Sequence, residues 1–419
     1  MSSTAAMRQT MTELGRFHVN PDASEPVLYA RPSVAERDRR YRLVRRRMEA
    51  EKIDVLILPA NHSRWDQMMA DSRYLTAIGG FGTETLTIFP REGAVTAGVF
   101  NRSGWWKRAQ DWVEDVRDCR NRWSELVIER LGELGFRKGR IGVAGLKGLV
   151  RAPDGLVPYT TIERIRSGLP GAEIVDATAL MQDCRAVKSA EEIRIMRRSV
   201  RIIEAMLEAC RAAARPGITE KHLYGTMIQA MLDNDGELPS LMIFGTGRGH
   251  HIGNFVPTAR VLKPGDMIIG EIEAHYCGYS GQVIQPMSLG PQPKAYTDLM
   301  AVVGTCFDRI LEKMRPGTTM GELMDTYERV IKKEGRGKLA FVHPMMHARG
   351  LGDERPAQFG KEGLADFRRI PLKAGMTFVL KPRARNEASR LAAQIGDTVV
   401  VTRAGGRRLG TRPLELYVI

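Results

Sequence analysis

The sequence predicts an α/β domain at residues 33–184, followed by an α+β domain with internal pseudo-two-fold symmetry at residues 185–419. Three observations lead to this prediction. The chain has 419 residues, which is long for a single domain. Its first half alternates short apolar strands with helices, as α/β domains do. Its second half contains two short motifs that each occur twice. Residues 1–32 are polar and irregular and are expected to form an arm.

The elements of the first domain follow from the spacing of its apolar residues. A helix is predicted over residues 33–52, where Tyr41, Val44 and Met48 recur at helical intervals. The other predicted elements are a hairpin of strands at 86–89 and 94–100, strands at 53–59, 140–144 and 173–176, and helices at 123–134 and 159–169. Strands that alternate with helices in this way predict a sheet with helices packed against it.

The second domain carries the internal repeat. Residues 215–219 (Arg-Pro-Gly-Ile-Thr) recur as residues 315–319 (Arg-Pro-Gly-Thr-Thr), and the Thr of each copy is a predicted helix N-cap. Residues 263–267 (Lys-Pro-Gly-Asp-Met) are echoed by residues 373–377 (Lys-Ala-Gly-Met-Thr), and each copy opens an apolar strand. Because both pairs occur in the same order, the domain is predicted to consist of two similar halves.

The boundary between the domains is predicted near residues 184–189. Ser189 and Glu192 form an S-x-x-E capping box, and a long amphipathic helix is predicted to follow it to about Ala214. The capping box therefore marks the first helix of the second domain.

A predicted hairpin in the middle of the second domain organises the rest of the chain. Its first strand covers residues 267–274 and is apolar and β-branched, residues 275–279 form the turn, and the second strand runs through residues 282–284. Glycine and polar residues punctuate this stretch, as a hairpin requires. The polar residues Glu271 and Gln282 lie on its two strands.

The formal net charge of +14 restricts the partners that are expected. The basic residues are spread along the chain, and no basic motif interleaved with aromatic residues is present, so nucleic acid is not an expected partner. A positive field of this kind favours a small anionic substrate.

The cysteines and the apolar residues indicate a cytoplasmic protein. The five cysteines are scattered and have no C-x-x-C spacing, which fits a reducing compartment and argues against a zinc knuckle. No run of 18 apolar residues predicts a membrane span, and the first residues lack the apolar core of a secretory signal.

The residues around the hairpin resemble those of the pita-bread family, which includes methionine aminopeptidase, aminopeptidase P, prolidase and creatinase. The resemblance rests on Pro264–Asp266 before the apolar strand, on Gly278–Tyr279 in the turn, and on the Arg, Lys-Ser and Glu residues of the segment 185–192. It implies a creatinase-like N-terminal domain and a pita-bread C-terminal domain.

The resemblance is strong over residues 185–419 and weaker over residues 33–180. In the weaker part, Arg73–Thr76 and Gly79–Gly80 match a strand-and-loop signature of creatinase and prolidase. The resemblance also implies a homodimer, in which the N-terminal domain of one subunit helps to close the pocket of the other. The candidates for this contribution are Tyr74, Arg102, Trp105 and Trp106.

The resemblance identifies the positions of the family's metal ligands. Its metallopeptidases hold two divalent ions with two Asp on the hairpin, one His in a turn and two Glu on the closing strands. Those positions carry Glu271, Gln282, His347, Lys381 and Gly396 in this chain. Only Glu271 remains of the four carboxylates, whereas such ions need several anionic ligands. We therefore expect no metal and no other cofactor.

Lys381 is expected to fill part of the space of the metal ions and to pair with Glu271. A lone buried charge is unfavourable, so two opposite charges are more credible together than either one alone. One alternative remains: Glu271, Glu273 and His275 are alternate residues of one strand and could hold a different metal.

Histidines are the candidates for proton transfer, because imidazole titrates near neutral pH. By resemblance, the upstream substrate histidine of the family falls on Asn254, shortly after His250 and His251, while His343 and His347 match a His-x-x-x-His turn. The candidate catalytic residues are His250, His251, His343, His347, Glu271 and Lys381.

The loss of anionic ligands makes the pocket more positive, so an anionic substrate bound through Arg or Lys is expected. The candidate substrate-binding residues are Asn254, Gln282, Arg349, Glu354 and Arg383. Glu354 matches an acidic residue of the family's turn if one residue is deleted, and Asp353 then stands where the family has a substrate histidine.

Creatinase provides the family's precedent for a metal-free enzyme that hydrolyses a carbon–nitrogen bond. The resemblance therefore implies a metal-independent hydrolase that cleaves an amide or amidine bond in a small anionic substrate. Three alternatives stay open. They are a metal-dependent Xaa-Pro aminopeptidase or prolidase-like peptidase, a C–N or C–S lyase with Lys381 as its base, and a non-catalytic binding protein on the same fold.

Overall fold

The computed structural model describes residues 29–59, 67–80, 82–149, 152–239, 241–248, 256–342, 345–358, 363–386 and 388–419. Most of the predicted arm at residues 1–32 lies outside this set. The described chain contains the predicted α/β domain and, after it, the predicted α+β domain.

A six-stranded mixed sheet forms the centre of the first domain. Its strands are β1 (Val55–Leu58), β2 (Thr85–Pro90), β3 (Thr96–Val99), β4 (Asp115–Asp118), β5 (Arg140–Val143) and β6 (Glu173–Asp176). Their order in the sheet is β4-β3-β2-β1-β5-β6. β2 is antiparallel to β1 and to β3, which confirms the predicted hairpin, whereas β1, β5 and β6 are parallel to one another.

Helices cover this sheet. They are α1 (Val34–Ala50), α2 (Gln67–Thr76), α3 (Ser103–Ala109), α4 (Trp123–Glu133), α5 (Tyr159–Gly168) and α6 (Thr178–Ala186). The first predicted helix is confirmed. The Ser33 side chain accepts a hydrogen bond from the Glu36 backbone at its start, and Val44 and Met48 are buried. The domain boundary predicted at residue 184 falls within α6.

The strand predicted at Arg73–Thr76 is wrong, because this segment is the last turn of α2. Ala70 and Tyr74 lie four residues apart, so a helix directs both side chains into the same core, and both are buried. The Thr76 hydroxyl also donates to the Ser72 carbonyl one turn earlier. The prediction used a match to only four residues of a family signature, and the helical spacing of Ala70 and Tyr74 extends beyond those four residues.

The second domain contains five helices among its described residues. They are α7 (Ala190–Ala213), α8 (Glu220–Asp233), α9 (Lys294–Lys313), α10 (Met320–Glu334) and α11 (Leu364–Arg369). The predicted capping box at the start of α7 is confirmed, since the Ser189 side chain accepts from the Glu192 backbone and the Glu192 side chain accepts from the Ser189 backbone.

The strands of the second domain form three sheets. The strands are β7 (Ile243–Gly247), β8 (Met267–Tyr276), β9 (Tyr279–Ile284), β10 (Met287–Ser288), β11 (Leu339–Phe341), β12 (Met346–Arg349), β13 (Asp353–Glu354), β14 (Thr377–Leu380), β15 (Arg383–Asn386), β16 (Leu391–Gln394), β17 (Asp397–Thr402), β18 (Gly405–Arg408) and β19 (Tyr417–Val418). The sheet orders are β19-β10-β8-β7 with β9 on β8, β13-β12-β14-β17-β18, and β11-β15-β16.

The two halves of the second domain repeat the same local contacts. Thr219 and Thr319 are the N-caps of α8 and α10. The Gly217 amide donates to the Leu262 carbonyl at 3.0 Å, and the Gly317 amide donates to the equivalent Leu372 carbonyl at 2.9 Å. The sequence repeat therefore corresponds to a structural repeat, which confirms the predicted pseudo-symmetry.

Buried polar clusters join the two domains. Arg40 of α1 donates to Glu36 at 2.8 Å and to the Tyr279 hydroxyl of β9 at 2.9 Å, and that hydroxyl donates to Glu192 at 2.6 Å. The Arg40 guanidinium also lies 4.4 Å from the centre of the Tyr74 ring. Each charge in this cluster therefore has a partner from its own domain or from the other one.

Arg185 is the centre of a second cluster at the domain boundary. Its guanidinium donates to Asp71 at 2.8 Å and to Glu354 of β13 at 2.9 Å, and the Lys188 ammonium contacts the other oxygen of Glu354. Arg185, Lys188 and Glu354 are all buried. The first domain and the sheet that contains β13 are thus joined through oppositely charged groups without intervening water.

The helices in the described part of the chain include none that is long and apolar enough to cross a membrane.

Replacement of Arg185 by Met should destabilise the protein strongly. The change leaves Asp71 without its cation and removes one of the two cations at Glu354, and breaking a buried pair in this way costs about 3–5 kcal/mol. The control is Arg309→Met, which removes an exposed pair with Glu312 on α9. Urea unfolding should show a large loss of unfolding free energy for Arg185→Met and almost none for Arg309→Met. Equal midpoints would mean that the Arg185 cluster contributes no net stability.

Candidate active site

The β8–β9 hairpin lies against the sheet that contains β12, β14 and β17. The backbones of Ile284 and Gly396 exchange two hydrogen bonds of 3.0 Å, and the Gln282 amide donates to the Thr398 hydroxyl at 2.9 Å. The Ser280 amide donates to the Gly350 carbonyl at 2.8 Å. These bonds place the polar face of the hairpin opposite the ends of three strands from the other half of the repeat.

The predicted pairing of Lys381 with Glu271 is confirmed. The Lys381 ammonium lies 2.7 Å from Glu271 Oε2, and the same oxygen accepts a hydrogen bond of 3.0 Å from the Gln282 side chain. Lys381 and Gln282 are buried, and Glu271 is half-buried. One carboxylate is therefore held by a cation and by an amide that lies across the hairpin.

Gly396 leaves room for the stem of Lys381. A Cβ atom at position 396 would lie 2.9 Å from Lys381 Cβ and 3.0 Å from the Leu380 carbonyl oxygen, and both distances are too short for comfortable contact. Ile284 Cδ1 would lie closer still, at 2.5 Å, so a side chain at position 396 requires a shift of the strand whichever residue other than glycine stands at position 381.

The five positions that match the family's metal ligands (271, 282, 347, 381 and 396) do not fit a pair of divalent cations. They supply one carboxylate, which is already bonded to an ammonium and an amide, and one imidazole. Within the described ranges, no group of three or more His, Cys, Asp or Glu side chains is arranged to hold a metal ion. The alternative group of Glu271, Glu273 and His275 is not such a group, because Glu273 pairs with Arg349.

Arg349 belongs to a buried chain of charges rather than to an open pocket. Its two terminal nitrogens donate to Glu273 of β8 at 2.7 Å and to Asp353 of β13 at 2.8 Å, and its side chain is fully buried. The predicted substrate-binding role of Arg349 is not supported by this placement. A substrate could reach the guanidinium only if one of these ion pairs opened.

The carboxyl group of Glu273 is fully buried beside the Arg349 guanidinium. Burial raises the pKa of Glu273 to about 7, although the Arg349 guanidinium acts in the opposite direction. Its second oxygen, Oε1, is buried and has no hydrogen-bond partner among the residues that the structure describes. Burial removes water from the carboxylate and so favours the protonated, neutral form, which is the physical reason for the raised pKa.

His347 lies on β12, two residues before Arg349 and on the same face of the strand. Its Nδ1 lies 3.5 Å from Asp353 Oδ1 and 3.3 Å from the Ala348 carbonyl oxygen. The ring is buried, with 1% of the residue exposed. The structure thus places this predicted catalytic residue beside the Arg349 chain, through the carboxylate of Asp353.

Glu354 lies on the other face of β13 from Asp353 and belongs to the Arg185 cluster. One of its carboxylate oxygens accepts from Arg185 and the other contacts Lys188. The predicted substrate-binding role of Glu354 is therefore not supported, since both oxygens are occupied at the domain boundary.

Arg383 stays a candidate for substrate binding. Within the described part of the chain its guanidinium has no ion-pair partner, and its buried Nε has no hydrogen bond. Burial lowers the pKa of Arg383, while Glu271 acts in the opposite direction. The backbone N–H of Arg383 donates to the Tyr327 hydroxyl, and this hydroxyl donates to the Arg383 carbonyl oxygen. Arg383 also lies opposite Gln394 in the β15–β16 pair. A half-buried cation on a fixed backbone is suited to bind an anion.

Several sequence predictions cannot be placed. His250, His251, Asn254 and His343 lie outside the described residues. Of the candidates for a contribution across a dimer, Tyr74 and Trp106 are buried in the core of their own chain, whereas Arg102 is exposed.

The pairing of Glu273 and Asp353 with Arg349 was not predicted from the sequence. Glu273 was considered only as a metal ligand, and Asp353 only as a replacement for a histidine. The pairing could have been predicted from the positions of these three residues. Glu273 lies on the predicted hairpin and Arg349 and Asp353 lie in the turn, and the resemblance implies that the hairpin and the turn are close together. Opposite charges that are buried close together are expected to pair.

Two family models match the chain. Metallopeptidase family M24 matches residues 194–403, and the Creatinase/Prolidase N-terminal domain matches residues 40–187. An Xaa-Pro dipeptidase of Pyrococcus furiosus is 24% identical over 266 residues, which are 63% of this chain and 74% of the relative. An ectoine hydrolase of Halomonas elongata is 23% identical over 264 residues, covering 60% of this chain and 64% of the relative.

Solved structures share the two-domain fold. The X-Pro aminopeptidase of Thermotoga maritima superposes with a TM-score of 0.72 and 21% sequence identity, over 91% of this chain and 99% of the other. The predicted fold is thus confirmed over nearly the whole chain.

Glu273→Gln should make stability less dependent on pH. The carboxyl ionises at about 4.5 in the unfolded chain and at about 7 in the folded one, so the folded protein loses stability as the pH rises between these values. The glutamine side chain of the variant cannot ionise, so the variant does not lose stability in this way as the pH rises. We expect the variant to gain about 1–3 kcal/mol relative to the parent between about pH 5 and about pH 8.

Urea unfolding at the two pH values measures this difference. Glu312→Gln, at the exposed end of α9, is the control and should show no such change. A difference between the Glu273 variant and the parent that is the same at both pH values would contradict a raised pKa of Glu273 in the folded protein.

Proposed function

Because the chain belongs to metallopeptidase family M24, we propose that it is a hydrolase of a carbon–nitrogen bond. We propose further that the bond is an amide or amidine in a small anionic substrate, and that the reaction needs no metal ion. Histidine transfers the protons. The names of the relatives support a range of substrates within the family, since they include an Xaa-Pro dipeptidase and an ectoine hydrolase.

The contact that carries this proposal is the ion pair between Lys381 and Glu271. The Lys381 ammonium lies 2.7 Å from Glu271, the one carboxylate at the five positions that match the family's metal ligands. The Gln282 side chain donates to the same oxygen of Glu271. A divalent ion at this carboxylate would have to displace the ammonium or lie close to it. Like charges at such a distance repel strongly where water is scarce.

The chain's own residues can supply the remaining chemistry. His347 accepts a proton from water as the water oxygen bonds to the amide or amidine carbon, and the positive charge of Lys381 stabilises the negative charge that develops there. The carbon–nitrogen bond then breaks, and the proton taken from water passes to the leaving nitrogen. Arg383 binds the anionic group of the substrate and so holds the reacting carbon in place.

A metal-dependent Xaa-Pro peptidase is the second candidate. The observation in its favour is the name of the relatives, because dipeptidases and aminopeptidases that act on Xaa-Pro bonds occur both among the related sequences and among the related structures. The donor set at the five positions supports it less well, since only Glu271 and His347 resemble metal ligands.

Hydrolysis without metal is the first test. The protein is dialysed against a chelator, its metal content is measured, and N-acyl amino acids and guanidino acids are screened for release of amine or ammonia. We expect far less than one equivalent of bound metal and undiminished hydrolysis. His347→Ala should lower kcat by about 10²–10⁴-fold, because it removes the general base.

His222→Ala is the matched control, since this histidine is exposed on α8 and is not one of the candidate site residues. The result that contradicts the proposal is binding of one or two equivalents of manganese, cobalt or zinc, together with Xaa-Pro cleavage that depends on the metal. That outcome would establish the second candidate.

Arg383→Gln tests the anionic substrate. Loss of a charge-assisted contact should raise KM for an anionic amide by about 10-fold or more, with little effect on a neutral analogue of the same size. Arg390→Gln is the control, because this exposed arginine lies in the turn between β15 and β16. Equal effects on the charged and the neutral amide would show that Arg383 does not bind the anion.

A further inference from the structure

We propose that Asp353 is a positioning residue for His347, and that the buried chain from Glu273 through Arg349 to Asp353 fixes the imidazole as its Nδ1–H tautomer. The lone pair of the ring then lies on Nε2. This inference rests on the proposed function, in which His347 takes a proton from water, and it specifies which ring nitrogen does so.

The two neighbours of Nδ1 carry the argument. The Asp353 carboxylate oxygen lies 3.5 Å from Nδ1, and the Ala348 carbonyl oxygen lies 3.3 Å from it. Both oxygens are acceptors and neither can donate. A lone pair on Nδ1 would face two negative oxygens inside the protein, whereas a proton on Nδ1 is attracted to both. In a neutral ring this assigns the proton to Nδ1 and the lone pair to Nε2.

The chain of charges holds the carboxylate of Asp353 in place. Arg349 and Asp353 are partners across the tight β12–β13 connection, and Arg349 donates to the same Asp353 oxygen that lies beside His347. The far side of Arg349 is bound by Glu273, across the interface with β8. Asp353 is 6% exposed and the other members of the chain are less exposed, so the solvent cannot easily replace any of these bonds.

An imidazole oriented by a carboxylate is a known way to prepare a general base. The carboxylate selects the tautomer and stabilises the positive ring that forms when Nε2 accepts a proton. In this protein the carboxylate is itself bound to a buried guanidinium, so its position depends on Glu273, which lies on a different sheet.

The test measures the tautomer directly. Nitrogen-15 NMR of the labelled full chain distinguishes a protonated from an unprotonated ring nitrogen, and the His347 signals are assigned by their loss in His347→Gln. We expect Nδ1 to be protonated and Nε2 to be unprotonated in the neutral ring. The wild-type spectrum alone overturns the proposal if it shows the proton on Nε2.

Asp353→Asn separates the carboxylate from the neighbouring carbonyl. We expect a mixture of tautomers or a change to Nε2–H, because an amide can donate to Nδ1 as well as accept from it. Asp71→Asn is the matched control, since it also replaces a buried carboxylate that is bonded to a buried arginine, Arg185, in the cluster at the domain boundary. The control should leave the His347 signals unchanged.

A spectrum of Asp353→Asn identical to the wild type would show that the Ala348 carbonyl suffices, and would overturn the positioning role. If this variant does not fold, the wild-type measurement still decides the tautomer. For the substrate found in the hydrolysis screen, Asp353→Asn should lower kcat by about 10²-fold or more and leave KM unchanged. The tautomer is read without substrate, so a failed screen would reject the proposed function without affecting the assignment of the ring nitrogens.

Discussion

A charge that is buried away from water is tolerated only where an opposite charge or hydrogen bonds compensate it. This constraint explains the arrangement of the two domains and of the candidate site. At the domain boundary Arg185 is bound by carboxylates from both domains, so neither domain could present this surface to solvent unchanged. In the site, Lys381 is compensated by Glu271 from the opposite half of the repeat. Charge pairing therefore helps to hold the two domains together and to hold the hairpin against the segment that follows β14.

The same constraint separates the residues that can meet a substrate from those that cannot. Arg349 and Glu354 are only five residues apart on one hairpin, yet each belongs to a different buried cluster, and both are occupied by protein groups. Arg383 differs from them because its guanidinium is half-buried and has no ion-pair partner in the described ranges. The proposed binding of an anionic substrate thus relies on Arg383, because its guanidinium has no carboxylate partner among the residues that the structure describes.

Periodicity, capping and turn chemistry were sufficient to predict most of the fold. Ser189 and Glu192 act within three residues of each other, so the start of α7 could be read from local sequence. The segment at Arg73–Thr76 could not, because its helix is defined by Ala70 and Tyr74 together. In the site, the pairing of Lys381 with Glu271 was predictable since both positions were known from the resemblance. The partners of Arg349 were not, because they come from β8 and β13, and only the folded chain brings these strands together.

The close approach of Gly396 to Lys381 limits how such a site can change by single substitutions. A carboxylate introduced at position 381 alone would face Glu271 with no cation between them, and a side chain introduced at position 396 alone would meet the stem of Lys381. The second change stays unfavourable even after Lys381 is replaced, because a Cβ atom at position 396 would also meet Ile284 Cδ1, the Leu380 carbonyl oxygen and the Cβ atom of any other residue except glycine at position 381. A site of this type therefore regains a carboxylate at position 396 only if the neighbouring strands move apart, and an exchange of side chains alone does not achieve it.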